Sequence, residues 1–427
     1  MDAVELAVRS RRGSVYSGKR QVSGQGGRPL KPFTGNFTQQ EPLDDAVIAA
    51  ATGILRSGRL HRYNSAPGEL SKASELEQAY AAYQGARYCL ACASGGYAMA
   101  IALRAAGLGQ GEAVLTNAFT LAPVPGAIAA AGGKPLLVEI TEDLVIDLED
   151  LDRKAKTSGA RFLLLSNMRG HLADMERLTD IVRQNNLILI EDCAHTMGAA
   201  WNGRKSGSFG LAGCFSTQTY KHLNSGEGGL LTSDDPEFVA RAIILSGSYM
   251  LYERHGAAPP ADVFERIRLE TPNMSGRMDN LRAAILLPQL ARLEDSIERW
   301  NDRYRAVEQA LAGAEGVALP RRPEAERYVG SSIQFRLPGL SAALAEAFVA
   351  ANKALGVELK WFGAADPVAF TSNHRSWRYV DPQLLPETDR ILSSLFDMRL
   401  PLTFSVEDCR HIGAIIAHCA AELGAHA

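Results

Sequence analysis

The sequence predicts an α/β protein built on a mostly parallel sheet, and three observations carry that reading. Short apolar runs recur along the chain, separated by segments of helical length and pattern. The runs lack the in–out alternation of a half-exposed strand, as expected where helices cover both faces of a sheet. Polar residues stand at or just past the ends of these runs, at Ser94, Asn117, Asn167 and Asp192. Ligands bind beyond the carboxyl ends of the strands in such sheets.

The elements follow in order. Asp44 to Leu55 and Glu75 to Tyr83 read as amphipathic helices, with apolar positions three and four apart. Tyr88 to Ala93 is a short apolar strand, and Ala98 to Ala106 a helix of small residues. Ala113 to Thr116 is a strand, and Pro123 to Ala131 a helix opened by proline, whose missing N–H costs nothing at a first helical position. Pro135 to Glu139, Arg161 to Ser166, Leu187 to Glu191 and Leu230 to Thr232 are further strands, with Met175 to Asn185 helical among them. Ala283 to Leu311 reads as one long helix that joins two domains. Beyond it come a strand over Ser332 to Leu337 and helices over Ala342 to Leu355 and Val406 to Leu423. The expected division is a basic tail over 1–31, a large domain over 32–290 and a smaller C-terminal α/β domain over 291–427. The tail carries seven Lys or Arg against Asp2 and Glu5, a balance more often solvated than folded.

Composition narrows the class. The 427 residues are 46% hydrophobic and 22% charged, ordinary values for a globular chain of two or more domains. A net charge of −3 gives no electrostatic footprint for nucleic acid. No apolar run is long enough to cross a bilayer, and Met1 to Glu5 lacks the basic-then-apolar order of a secretion signal. A cytoplasmic protein is expected. Of six cysteines, Cys89 and Cys92 form a C-x-x-C without a second Cys or His pair. They read as small apolar residues of a buried strand, and no metal site is expected.

The chemistry concentrates in Glu191-Asp192-Cys193-Ala194-His195 and in Thr219-Tyr220-Lys221, which leads into Ser225-Gly226-Glu227-Gly228-Gly229. Two acids that close a core strand are poor packing residues. A lysine between a strand-like piece and a glycine turn differs from the usual solvated surface charge. A carboxylate and a buried lysine together suit pyridoxal phosphate chemistry, which uses a lysine for the Schiff base and an acid for the pyridinium nitrogen. Ala93-Ser94-Gly95-Gly96 follows a strand and opens a helix, a geometry that binds phosphate.

The register Asp192, His195, Ser216, Lys221 and Gly226-Glu227-Gly228-Gly229 resembles the DegT/DnrJ/EryC1/StrS family of aminotransferases. The resemblance runs from about residue 45 to 300. It implies a fold-type I transferase with a seven-stranded sheet and a homodimer with shared active sites. Pyridoxal 5′-phosphate is the implied cofactor and Lys221 the catalytic residue. Asp192, His195, Gly95, Gly96, Ser216, Gln218 and Leu121 are the implied cofactor-binding residues. Asn273, or Ser275 by strict spacing, is the implied cross-subunit phosphate contact. The implied reaction moves an amino group from glutamate or glutamine to a keto-sugar, free or nucleotide-linked, or to a related cyclic ketone. The alternatives are a sugar dehydratase of the same fold, whose lysine is replaced by histidine, and a regulator that binds without turnover. The chain departs from the family at Gly96 in the phosphate turn and at Leu121 in the ring-stacking place, and also at Asn167, Arg169 and Gly356 to Gly363 around Trp361, the last three expected to face the substrate.

Overall fold

A computed structural model describes residues 30–66 and 68–424. The tail expected over 1–31 therefore lies, but for Leu30 and Lys31, outside the described residues.

The core is a seven-stranded sheet whose spatial order is Tyr88–Cys92, Gly229–Ser233, Ala212–Ser216, Ile188–Asp192, Phe162–Ser166, Ala113–Asn117 and Lys134–Val138. Only Gly229–Ser233 runs against the rest, pairing antiparallel with Tyr88–Cys92 and Ala212–Ser216. The other pairings are parallel. Six strands therefore end at one edge of the sheet, and the reversed strand begins there.

Strand alternation divides the side chains between two apolar layers. Leu163, Leu165 and Leu189 pack on one face with Leu76, Leu178 and Ile297. Phe162, Leu164 and Ile190 pack on the other with Ile101, Ile128 and Ile243. Helix starts are set locally: the side chains of Asp44, Ser71, Ser94, Asp147, Asp174, Asp235, Asp279 and Ser341 each accept a first-turn backbone N–H.

The predicted strands recur within a residue or two. Two expectations change. The small-residue helix spans Gly95–Ala105, so both glycines lie inside its first turn. The single helix expected over Ala283 to Leu311 is two helices, Asn280–Leu290 and Leu293–Leu311. Arg292 leaves helical geometry at φ −114° and ψ 11°. Pro288, in the last turn of the first helix, removes an N–H donor from the ladder.

A second, three-stranded antiparallel sheet orders Ser332–Arg336, Leu395–Arg399 and Lys360–Trp361. Its apolar cluster takes in Val307, Phe348 and Ile415, and also Phe33 and Phe37 from the start of the described chain. Phe33 and Phe37 meet Phe404 edge-on at 4.9 Å each. Cys89 and Cys92 are buried in their strand, where desolvation pushes both thiols up. Among the described residues no helix is long and apolar enough to cross a membrane, and no cluster of three or more His, Cys, Asp or Glu could hold a metal ion.

Candidate active site

The carboxyl edge of the large sheet brings residues far apart in sequence to one cavity of about 400 Å³. Ser94, Gly95 and Gly96 line it, with Leu121, Asp192, His195, Ser216, Gln218 and Lys221. Eight of the nine residues named from the sequence therefore meet there. Asn273 does not: it is exposed, outside this chain's own cavity. Ser275 is exposed as well and hydrogen bonds to Tyr249 through its hydroxyl at 3.0 Å.

Lys221 stands on the loop between the strands Ala212–Ser216 and Gly229–Ser233. Burial pushes its ammonium down to about 7, and the charges of Arg169 and Arg399 add to the fall against the opposing pull of Asp192. Its Nζ lies 2.7 Å from His195 Nε2. The other ring nitrogen, Nδ1, accepts the Arg169 backbone N–H at 3.3 Å. Burial, then Lys221, holds His195 well below its ordinary range, so the ring is neutral. With Nδ1 accepting, the single ring proton belongs on Nε2 and points at Lys221. That bond requires a free amine at Lys221, the nucleophilic form. An expected result follows: uptake of pyridoxal phosphate by the cofactor-free protein speeds up with pH and levels off around a midpoint near 7. Stopped-flow absorbance measures it, and a midpoint near the ordinary lysine value of 10.5 would count against this account.

The two acids expected to act after the core strand have different jobs. Alternation along Ile188–Asp192 sends them to opposite faces. Glu191 is fully buried, and its carboxylate accepts the backbone N–H groups of Gly207, Phe209 and Gly210 at 2.9, 2.7 and 3.2 Å. It ties down a loop. Asp192 faces the cavity. Its Oδ1 accepts the Ala194 N–H at 3.1 Å, and its Oδ2 accepts the Ser166 hydroxyl, also at 3.1 Å. Ser166 Oγ in turn accepts from Thr120 at 2.7 Å. Asn117 braces this corner by accepting the Ser166 N–H at 2.9 Å. The relay from Thr120 through Ser166 fixes the carboxylate, and sequence reasoning missed it because its members come from one loop and two separate strands, far apart in sequence. Burial raises the Asp192 carboxyl above its usual range, so a cation placed beside it would be strongly favoured.

The phosphate end is equally explicit. Ser94 caps the helix Gly95–Ala105 by accepting the Tyr97 N–H at 3.1 Å. The first N–H groups of the helix have no partner within it and are left to hold an anion. Ser216 Oγ accepts the Gln218 N–H at 3.3 Å, leaving its own proton to donate. Gln218 Oε1 accepts the Tyr220 N–H at 3.0 Å, leaving the amide nitrogen to donate. Gly229 lies between Ser94 and Ser216 at the start of the reversed strand. A Cβ there would stand 2.3 Å from the Ser94 carbonyl oxygen and 2.7 Å from the Gly95 nitrogen. Only glycine lets the three strands meet closely enough to build the cradle.

Leu121 lines the cavity, whereas Phe119 is buried edge-on against Phe362 at 5.2 Å. Leu121 is therefore the side chain of that loop that can cover a bound ring. Of the departures expected to face substrate, Arg169 does line the cavity. Asn167 instead donates to Ser206 at 3.2 Å, and Trp361 donates from the core to the Ser393 carbonyl at 2.8 Å. Arg399 and Phe370 also line the cavity, and no local motif announced them. His222 is buried and hydrogen bonds to Ser331 at 3.0 Å, which excludes it as a stand-in for Lys221.

The residues present fit pyridoxal phosphate: a free amine, a buried carboxylate and an N–H-rich cradle open on one cavity. Comparison with known proteins agrees. A curated relative, the pleiotropic regulatory protein of Geobacillus stearothermophilus, is 29% identical over 70% of this chain and 76% of its own length. The L-glutamine:scyllo-inosose aminotransferase of Streptomyces griseus is 32% identical over 62% of this chain, and the chain spans 61% of that relative. Among solved structures, a 3-amino-5-hydroxybenzoic acid synthase superposes with a TM-score of 0.77 at 24% identity, covering 92% of this chain and 100% of the other, a likeness of fold. The family model for DegT/DnrJ/EryC1/StrS aminotransferases matches residues 43–417, and the chain belongs to that family.

Proposed function

We propose that this protein is a pyridoxal-phosphate-dependent aminotransferase that moves an amino group from glutamate or glutamine to a keto-sugar or a related keto compound. The observation that carries the proposal is the placement of Lys221 and Asp192 on one cavity that also holds the anion cradle. When bound, the cofactor supplies a carbonyl for a primary amine to condense with and a ring that accepts an electron pair.

The chain's own residues do the rest. The N–H groups of Gly95 and Gly96, with Ser216 and Gln218, hold the phosphate. Asp192 keeps a positive charge on the ring nitrogen, at the end of a hydrogen-bonded relay that forbids it to swing away. His195 orients the Lys221 amine, and Leu121 covers one face of the ring. Lys221 takes the proton from the substrate carbon in the donor half and returns one in the acceptor half. One group serving both halves gives ping-pong kinetics.

The presence of Lys221 favours transamination over dehydration, and the pairing of Lys221 with Asp192 favours turnover over mere binding. Asn273 and Ser275 lie outside this chain's own cavity, which supports a homodimer whose partner brings that block to the site. Six free cysteines, all buried, are in keeping with a reducing, cytoplasmic setting.

Visible absorbance tests the proposal. Protein loaded with pyridoxal phosphate should show a band near that of a lysine-bound cofactor. L-glutamate or L-glutamine should bleach it to the amine form, and a keto acceptor should restore it. A band that no amino acid shifts would reject the transaminase reading.

A further inference from the structure

Four consecutive residues shortly after the strand Phe162–Ser166 are each held by the C-terminal part of the chain. Arg169 forms an ion pair through Nη2 with Asp397 Oδ2 at 2.8 Å, a contact of charge rather than of good hydrogen-bond geometry. The Gly170 carbonyl accepts Arg322 Nη1 at 2.7 Å. His171 meets Gln334 Oε1 through Nε2 at 2.8 Å. The Leu172 N–H donates to Glu326 Oε1 at 3.0 Å, and the same oxygen accepts Arg322 Nη1 at 2.8 Å. The hold is needed, because Arg169 sits in the left-handed region at φ 56° and ψ 22°. That conformation costs energy for a residue with a Cβ and persists only where its surroundings over-determine it.

The turn meets His195 at two points. Its Arg169 N–H donates to His195 Nδ1 at 3.3 Å. Gly170, at φ 83°, packs so closely that a Cβ would stand 3.2 Å from the His195 carbonyl oxygen. Gln334 stands at the centre of the hold. It and Asp397 are direct partners across the strands Ser332–Arg336 and Leu395–Arg399, and both are fully buried. Direct partners share one face of a sheet. Gln334 Nε2 donates to Asp397 Oδ1 at 2.7 Å and to Ser332 Oγ at 2.9 Å. Both amide protons are thereby used, so Oε1 accepts and His171 donates from Nε2. Burial, with the charge of Arg322, holds His171 well below its ordinary range, so His171 and Gln334 are both neutral.

Resting on the aminotransferase reading, we infer that Gln334 is a positioning residue for Lys221, acting from the small sheet: with His171 and Asp397 it fixes the turn whose Arg169 N–H keeps the His195 proton on Nε2, facing the amine. A hydrogen bond donated to a neutral amine favours it over the ammonium. With the turn released, Nδ1 loses its donor and the ring can offer its Nε2 lone pair to Lys221, which favours the ammonium. The charged groups facing Lys221 are Asp192 from its strand, Arg169 from the turn and Arg399 from the small sheet, with the neutral rings of His195 and His222 beside it. Replacing Gln334 or His171 alters none of these charges, so a shift in the Lys221 titration reports the relay itself.

Uptake of pyridoxal phosphate by the cofactor-free, full-length protein, followed by stopped-flow absorbance against pH, tests the inference. Gln334→Met keeps the length of the side chain and removes both of its hydrogen-bonding ends. It should move the midpoint up from near 7 by about one pH unit, the worth of one hydrogen bond. His171→Leu should do the same, whereas His171→Gln, which keeps a donor close to the Nε2 position, should retain the parent midpoint. Titrations of the aldehyde itself are common to all variants and cancel in the comparison. A purely structural role would lower the melting temperature of the variants and leave the midpoint in place, and that result would overturn the inference. So would a shift of equal size in His171→Leu and His171→Gln. If Gln334→Met fails to fold, the His171 pair decides by the same criteria. Failure of the parent protein to take up the cofactor at any pH would instead reject the aminotransferase reading, and the inference with it.

Discussion

Lys221→Ala should lower turnover by about 10⁴-fold or more while the protein keeps its fold and still takes up pyridoxal phosphate. The size follows from the number of roles that one amine fills: nucleophile toward the cofactor, proton acceptor in the donor half and proton donor in the acceptor half. The side chain stands at the cavity wall rather than in the apolar layers, so truncation opens no core void. The cradle of Gly95, Gly96, Ser216 and Gln218 is untouched, so phosphate binding survives. Denaturing the variant should release all of its cofactor without a chemical step, and its circular dichroism should match the parent. Full turnover in this variant would overturn the assignment. Lys221→Arg offers a second reading, since it keeps a long basic side chain but cannot supply a free amine near neutral pH.

Asp192→Asn should lower kcat by about 10²–10³-fold with little change in melting temperature. An asparagine can still accept the Ala194 N–H through its oxygen, and its amide can donate to Ser166, so the local hydrogen bonds are conserved in number. What disappears is the negative charge. Burial is what gives that charge its strength, because a carboxylate raised by desolvation gains most from a nearby cation. The control is its neighbour. Glu191→Gln replaces a carboxylate that accepts three backbone N–H groups, so its cost should appear in thermal stability, with kcat per folded molecule close to the parent. If the two substitutions had the same effect on kcat, the division of labour between the acids would be wrong.

The fold and half of the site were written in short stretches of sequence. Apolar runs buried on both faces need no tertiary information to be seen, because burial on two sides removes polar residues from every position of the strand. Asp192 and Lys221 were legible in themselves, as an acid closing a core strand and a lysine entering a glycine turn, whereas His195 and Ser216 were legible only through the resemblance to a family. The helix over Ala283 to Leu311 was read as continuous because apolar periodicity carries on across the break at Arg292. A change of backbone angle at one residue leaves no trace in that periodicity.

Other features existed only in three dimensions. Nothing in Glu191-Asp192 says which acid faces the cavity; the pleat of one strand decides that. The support of Asp192 by Thr120 and Ser166 joins residues 46 and 26 positions apart, and Gly229 is fixed as glycine by a carbonyl 135 residues away at Ser94. Arg169 and Arg399 come together across 230 residues, one on a strained turn of the large sheet and the other on the small one. Local sequence determined which elements form and which residues stand at their ends, because hydrophobic period and capping act over a few residues. Charge pairing, burial and the shape of the cavity act through space, so only the tertiary structure decided which of those ends meet and which charges share one cavity.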